Sequence, residues 1–248
     1  MEAYSEFANV YDLFMEDTPY EAWYEFIKEK VKALKGEVHK VCELGCGTGK
    51  MTMLFAKEGK EVVGIDCSPE MLMVAQDHAY EEEVSILYSM QDMAEFELKD
   101  EMDLICSCCD SLNYLTEIED VQSTFIQVSR YLVSGGVFIF DMNTAYKYKE
   151  ILGNQTFADQ TEEAAYIWEN FYDEEDEINE YEVSFFIKGE DGKYERTIEN
   201  HYQKAYSIEA IKKMLRKAKL ECVEVYDNYT NDKASEKSER VTYVVRKP

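Results

Sequence analysis

The chain is predicted to adopt an α/β fold, doubly wound about a mostly parallel seven-stranded sheet, with an antiparallel β cap inserted after the fifth strand. Three observations predict it. Short apolar runs alternate with helical stretches of about 8–15 residues, a glycine-rich turn closes the first run, and the pattern changes to aromatic-rich alternation after Asp141. Helices interposed between strands cover both faces of such a sheet, and its ligands bind at the carboxyl ends of the strands.

The elements follow in order. Trp23, Phe26, Ile27, Val31 and Leu34 recur at helical spacing, so a helix over Tyr20 to Leu34 precedes the first strand. Then come strand Val38 to Leu44, helix Met51 to Lys57, strand Glu61 to Ile65 and helix Pro69 to His78, with Ser68 as N-cap and Pro69 at the first helical position. Strands Val84 to Tyr88 and Met102 to Cys106, helix Val121 to Leu132 and strand Gly136 to Phe140 complete the alternation. From Tyr166 to Tyr206 the segments Glu182 to Ile187 and Tyr194 to Glu199 flank a Glu190-Asp191-Gly192 turn, which predicts an antiparallel hairpin or meander. A helix over Ser207 to Ala218 and strands at Val223 to Tyr226 and Val241 to Val245 return the chain to the main sheet. The predicted organisation is a helical segment over 1–36, a sheet domain over 37–145 and 206–248, and the cap over 146–205.

A 46% hydrophobic and 13% aromatic content supplies a core, while 31% charged residues and a mean hydropathy of −0.46 predict a soluble protein. No basic region followed by an apolar one opens the chain, and no run approaches the ~18 apolar residues of a membrane span, so we expect a cytoplasmic protein without membrane attachment. Seven cysteines, an odd number, read as reduced thiols. Cys106-Ser107-Cys108-Cys109 lacks a second ligand pair at metal spacing, and His39, His78 and His201 are scattered, so no metal is expected. A formal net charge of −26 opposes attraction to polyanions and disfavours nucleic acid as a partner. Monomer and homodimer are both compatible with the sequence.

The turn Glu43-Leu44-Gly45-Cys46-Gly47-Thr48-Gly49 lets backbone approach a ligand closely and points helix N–H groups at it. It departs from the dinucleotide fingerprint, because Lys50 stands where a third glycine would fall. Asp66 closes the second strand 21 positions after Gly45, where a carboxylate accepts hydrogen bonds from both ribose hydroxyls. Gln91-Asp92-Met93, past the third strand, offers a carboxylate for an amino group and a thioether against an aromatic base. Taken singly these pieces also read as a tight turn, a helix cap and a loop.

In order and spacing, Glu43 to Gly49, Asp66, Gln91 to Met93 and Cys109-Asp110 resemble the successive motifs of class I S-adenosylmethionine-dependent methyltransferases of Rossmann-like fold. Tyr11-Asp12 with Pro19-Tyr20-x-x-Trp23, Cys109 to Leu115, Ile167-Trp168-x-Asn170, Glu199-x-His201-x-Gln203 and Ser238-Glu239-Arg240 narrow the resemblance to YqeM-like bacterial methyltransferases across nearly the whole chain. The resemblance implies S-adenosyl-L-methionine as cofactor, with Glu43, Gly45, Cys46, Gly47, Asp66, Gln91, Asp92, Met93 and Cys109 around it. It further implies that Tyr11, Tyr20 and Trp23 close over the methionine half as a lid, with Met71 and Cys67 near the adenosine and Cys67 contributing backbone only.

Methyl transfer is an in-line displacement, so the protein must align the reactants, exclude water and, for a hydroxyl acceptor, remove a proton. Asp110, Asn113 and Tyr114 follow the fourth strand, and Trp168, His201 and Arg240 would reach in from the cap and the final strands. His201 is the candidate base, since histidine ordinarily titrates near neutral pH, with Asp110 and Tyr114 as its catalytic companions. Asn113, Trp168 and Arg240 are the candidate acceptor contacts. Each has a structural alternative: a helix cap for Asp110, an outward strand position for His201, cap core for Trp168, a surface ion pair for Arg240.

No Asn-Pro-Pro-Tyr-like run and no Pro-Cys pair marks a base-modifying enzyme. Lys212, Lys213, Arg216, Lys217 and Lys219 form a basic stripe suited to RNA, or a solvated face opposite Ile208, Ile211, Leu215 and Ala218. The leading expectation is O- or N-methylation of a small molecule. An RNA- or protein-modifying methyltransferase, or a non-catalytic S-adenosylmethionine-binding sensor, is the alternative.

Overall fold

The computed structural model describes residues 11, 12, 14–189 and 191–248. The start of the predicted lid and Glu190 of the predicted turn lie outside the described residues.

The main sheet holds β1 (Lys40–Leu44), β2 (Glu61–Asp66), β3 (Ile86–Met90), β4 (Met102–Ser107), β5 (Leu132–Asn143), β10 (Glu221–Asp227) and β11 (Arg240–Arg246), in the order β10-β11-β5-β4-β1-β2-β3. Of these only β11 runs opposite to the other six. Helices α1 (Tyr20–Leu34), α2 (Lys50–Lys57), α3 (Pro69–Glu81), α4 (Ile118–Tyr131) and α5 (Ile208–Lys217) cover it. The fold is the mixed α/β, mostly parallel seven-stranded arrangement the alternation predicts.

Two apolar layers flank the sheet. On one face Trp23, Phe26 and Ile27 of α1 and Phe55 of α2 meet Val41, Val137 and Ile139. On the other, Phe125 and Val128 of α4 and Ile211 and Leu215 of α5 meet Phe138, Phe140 and Tyr243. The last three stack, Phe138 on Phe140 at 4.7 Å and Phe140 on Tyr243 at 4.6 Å. Each such side chain, fully buried, contributes about 1.5–3 kcal/mol.

Ser68 caps α3 as predicted, its Oγ accepting from the Met71 N–H at 3.1 Å with Pro69 at the first helical position. Other boundaries differ for physical reasons. The first strand begins at Lys40, not Val38, and at its start Asp103 Oδ2 takes the N–H groups of His39 and Lys40, at 2.9 and 3.0 Å. The fifth strand begins at Leu132, not Gly136. Ser134-Gly135-Gly136 is a bulge within a continuous strand: the register to β4 shifts there, and Gly135 adopts φ 74°.

Between β5 and α5 a π-helical turn (Lys147–Leu152) leads into β6 (Thr156–Gln160), β7 (Ala164–Asp173), β8 (Ile178–Lys188) and β9 (Tyr194–Lys204), an antiparallel meander in the order β6-β7-β8-β9. Strand β6 was not predicted; its residues are mostly exposed and carry little apolar alternation. Among the described residues no helix is long and apolar enough to cross a membrane, and no group of three or more His, Cys, Asp or Glu is placed to hold a metal.

Candidate functional site

Strands β1 and β4 are neighbours, and the chain leaves them toward opposite sides of the sheet, β1 to β2 and β4 to β5. The crevice at their carboxyl ends is therefore the switch point at which open α/β sheets bind ligands. A cleft of about 460 Å³ opens there, the size of a small-molecule site.

The turn after β1 forms its floor. Gly45 and Gly47 sit at φ 68° and 51°, and a Cβ on Gly45 would lie 2.6 Å from the Ser111 side chain and 3.3 Å from that of Met93. Gly47 has open space instead, and its N–H donates to Asp66 Oδ2 at 2.8 Å. The Ser68 N–H donates to the other oxygen, Oδ1, at 2.9 Å. Burial raises the Asp66 carboxyl above its usual range, and the backbone N–H groups of Ser68, Gly47 and Cys67 pull it back in part. Beside them, Glu43 is buried with Oε2 lacking a hydrogen-bond partner among the described residues. Burial first, then the nearby Asp66, pushes its carboxyl far above the usual range.

These features fit S-adenosylmethionine. An orphaned buried carboxylate oxygen suits the methionine ammonium, and two glycines leave their backbone approachable. Asp66 keeps a lone pair on each oxygen for the ribose, while the Met93 and Met71 thioethers line an apolar stretch. Gln91 and Asp92 also line the cleft, although their side chains hold the loop itself: Gln91 Oε1 accepts from the Glu97 N–H, and Asp92 Oδ1 from the Ala94 N–H, both at 2.8 Å. Cys46, Cys67 and Cys109 complete the predicted set at the cleft.

Of the predicted lid residues, Tyr11 and Tyr20 line the cleft and Trp23 does not. Trp23 is buried, stacked on Tyr229 at 4.7 Å with the Arg240 guanidinium 5.3 Å from its ring centre. The Tyr20 hydroxyl meets Cys109 Sγ at 3.7 Å, and burial pushes both phenols up. Asp12 fastens this segment to the glycine turn: Oδ1 accepts from Thr48 Oγ1 at 2.7 Å, and Oδ2 pairs with Lys50 Nζ at 2.6 Å. Phe14 packs edge-on to Tyr166 of β7 at 4.8 Å. This segment thus bridges the glycine turn and the antiparallel sheet.

After β4 the chain turns through Cys109 and Asp110, both left-handed at φ 56° and 51°, a conformation that costs about 1–2 kcal/mol per residue. A buried network holds it. Asp141 Oδ2 accepts from the Asp110 N–H at 2.9 Å, Asp110 Oδ1 pairs with Arg240 at 2.6 Å, and Gln203 Nε2 donates to Asp110 Oδ2 at 2.7 Å. Arg240 also pairs with Asp141, which accepts from the Tyr229 hydroxyl at 2.6 Å. Burial opposes ionisation of Asp110, but Arg240, Lys147 and Gln203 outweigh it and hold the carboxyl below its usual range. Both side-chain oxygens of Asp110 are thus engaged by protein partners, and Arg240 braces them.

Asn113 is equally committed: its amide donates to the carbonyls of Asn143 and Lys204 at 3.1 and 2.8 Å and accepts from the Asn143 N–H at 2.9 Å. Trp168 lies on the meander between Phe157 and Tyr181, its buried Nε1 without a partner among the described residues. Tyr114 does line the cleft. Its hydroxyl meets Tyr181 at 2.7 Å and His201 Nδ1 at 3.3 Å. His201 is buried, 3% exposed, and stands behind Tyr114 rather than at the cleft wall.

Sequence reasoning assigned no role to Asp12, Ser111, Asp141, Glu199 or Gln203. The signal for the last two was present in Glu199-x-His201-x-Gln203, a period-two set that a strand turns inward, and all three are buried. Asp141, a carboxyl directly after the apolar run Val137 to Phe140, was the other.

Residues 41–136 match the model of a family described as a methyltransferase domain. A protein of Geobacillus sp. (strain WCH70) is 37% identical over 98% of this chain and 99% of its own length. YqeM of Bacillus subtilis (strain 168) is 35% identical over 98% and 97%. Both carry names that class them as methyltransferases, and neither name states an acceptor. A crystal structure of an S-adenosylmethionine-dependent methyltransferase from Clostridium acetobutylicum ATCC 824 matches with a TM-score of 0.88 at 35% identity, covering 98% of each chain.

Proposed function

This chain belongs to the YqeM-like family of S-adenosylmethionine-dependent methyltransferases, and from that premise we propose that it methylates a small molecule held between the cofactor cleft and the inner face of the antiparallel meander. The observation that carries this reading is Tyr114, a cleft residue whose hydroxyl reaches two side chains of the meander, Tyr181 and His201. The cofactor cleft and the meander therefore meet at one polar point.

When bound, S-adenosylmethionine supplies an electrophilic methyl carbon on a sulfonium. Around it Glu43, Gly45, Gly47, Asp66, Met71 and Met93 hold, Tyr11 and Tyr20 cover, and Asp12 with Phe14 keeps the lid down against water. Tyr114 orients the acceptor and His201 behind it takes the proton of a hydroxyl, while the Asp110 network fixes the turn from which Tyr114 projects. This reading moves Asn113, Trp23 and Arg240 from ligand contacts to supports.

Two observations favour a small acceptor over RNA. The chain carries a formal net charge of −26, and the basic stripe of α5 lies opposite its buried residues Ile211, Met214 and Leu215, with Lys212 paired to Glu209 at 3.7 Å. A fold neighbour with a TM-score of 0.75 at 16% identity is described as an amino pentose methyltransferase from Micromonospora echinaspora, a sugar-sized acceptor that the same architecture accommodates. The reading keeps the reaction in the cytoplasm.

Incubation of the protein with methyl-labelled S-adenosylmethionine and separated small-molecule, RNA and protein fractions of a bacterial extract tests it. Label is expected in the small-molecule fraction. Label confined to RNA or protein would replace the reading with a macromolecular acceptor.

A further inference from the structure

We infer that Glu199 is a positioning residue: it fixes the tautomer of His201 so that the bare Nδ1 faces Tyr114, making Glu199–His201–Tyr114 a relay that draws the acceptor proton out of the cleft. This rests on the methyl-transfer reading above.

The three groups come from two elements that the sequence separates by more than eighty positions. Glu199 and His201 are i and i+2 on β9, so a strand sends both to one face, and they are 5% and 3% exposed. His201 Nε2 lies 3.3 Å from Glu199 Oε2, and Nδ1 lies 3.3 Å from the Tyr114 hydroxyl. Tyr114, in a 3-10 turn after β4, is the member that lines the cleft.

The hydrogen bonds close in one direction. With Glu199 a carboxylate, it only accepts, so Nε2 carries the proton and Nδ1 is the acceptor. The Tyr114 O–H then donates to Nδ1, and its oxygen accepts from the Tyr181 hydroxyl at 2.7 Å. Tyr181 stacks on the imidazole at 4.8 Å and 15°, which locks the ring plane. Among the described residues, the titratable groups seen against His201 include Glu199 on its own strand, Tyr181 on β8 and Tyr114 on the 3-10 turn, with Asp110 and Tyr148 acting on Tyr181 from beyond.

For a hydroxyl acceptor the balance is as follows. The methyl carbon–sulfur bond breaks with its electron pair staying on sulfur, and the acceptor oxygen bonds the carbon. The acceptor proton passes to the Tyr114 oxygen as Tyr114 gives its own to Nδ1, and the positive charge lost by the sulfonium reappears on an imidazolium beside the Glu199 carboxylate. A buried carboxylate next to a buried imidazole serves this charge as the orienting acid of a catalytic triad does.

The test needs no acceptor. Nitrogen-15 spectra of the histidine rings in the full chain report the tautomer; there are three histidines, and His201→Gln identifies the signal. The wild type should show Nε2 protonated and Nδ1 bare. Glu199→Gln should shift the tautomer ratio about tenfold toward Nδ1–H, while Glu199→Asp retains the wild-type form. Nδ1 protonated in the wild type, or an unchanged ratio in Glu199→Gln, overturns the relay, and if that variant does not fold, the wild-type spectrum alone decides. Methyl transfer to the labelled small-molecule fraction should fall by about tenfold or more in Glu199→Gln with S-adenosylmethionine affinity unchanged. Failure to label any small molecule overturns the functional reading and leaves the tautomer result standing.

Discussion

The Gly47 N–H donates to Asp66 Oδ2 at 2.8 Å, so one carboxylate ties the turn after β1 to the turn after β2. Asp66→Ala removes both that tie and the acceptor proposed for the ribose. We predict a loss of about 1.5–3 kcal/mol in S-adenosylmethionine binding, roughly ten- to a hundred-fold in affinity, measured by calorimetry on a variant whose circular dichroism is unchanged. Wild-type affinity would reduce Asp66 to a brace for the turn.

Glu43 gives a stability prediction with a defined sign. Burial and Asp66 raise its folded value well above the ordinary one. Its contribution is therefore fully present below the unfolded value near 4.3 and is lost as pH rises toward the folded value. Glu43→Gln should match the wild type in acid and become progressively more stable than it from about pH 5 upward, while binding S-adenosylmethionine more weakly. Urea denaturation across pH checks this; parallel stability curves would contradict it.

Arg240 stands between two buried carboxylates, Asp110 and Asp141. Arg240→Leu strands both, and a destabilisation of about 3–5 kcal/mol is expected. Asp110 is held below its usual range with Arg240 as the leading cause that lowers it. Its share of stability is present above about pH 3.9 and lost as pH falls through its lower folded value, so the gap between wild type and variant should narrow in acid. Denaturation at neutral and acid pH measures both effects, and a loss under 1 kcal/mol would show that the network is dispensable.

The fold was legible because its signals are local. Ser68-Pro69, the glycine turn and the strand-ending Asp66 each act within a few residues of their own position. What was hidden depends on distant partners. The predicted strand starts at Gly136, yet Gly135 donates to the Lys247 carbonyl at 2.8 Å and the strand runs back to Leu132. Asn113, Trp23 and Arg240 have side chains suited to ligands, and backbone carbonyls, Tyr229 and Asp141 claimed them instead. Gln203 reaches Asp110 across 93 positions, a pairing no periodicity announces.

The proposed lid yields a kinetic prediction. Asp12 and Phe14 bridge the glycine turn and the meander, so S-adenosylmethionine should slow hydrogen exchange over residues 11–23, and Asp12→Asn should speed it in the free protein. Equal exchange with and without the cofactor would make this segment ordinary packing.

Tyr114 lines the cleft and touches both Tyr181 and His201, so Tyr114→Phe separates holding the cofactor from transferring its methyl group. The decisive measurement is single-turnover formation of S-adenosylhomocysteine by this variant, alongside its S-adenosylmethionine affinity, with the small-molecule fraction that takes label as acceptor. Methyl transfer slowed by about 10²–10⁴-fold at unchanged affinity is the expected result. Wild-type transfer by Tyr114→Phe would contradict it and place the acceptor away from the meander.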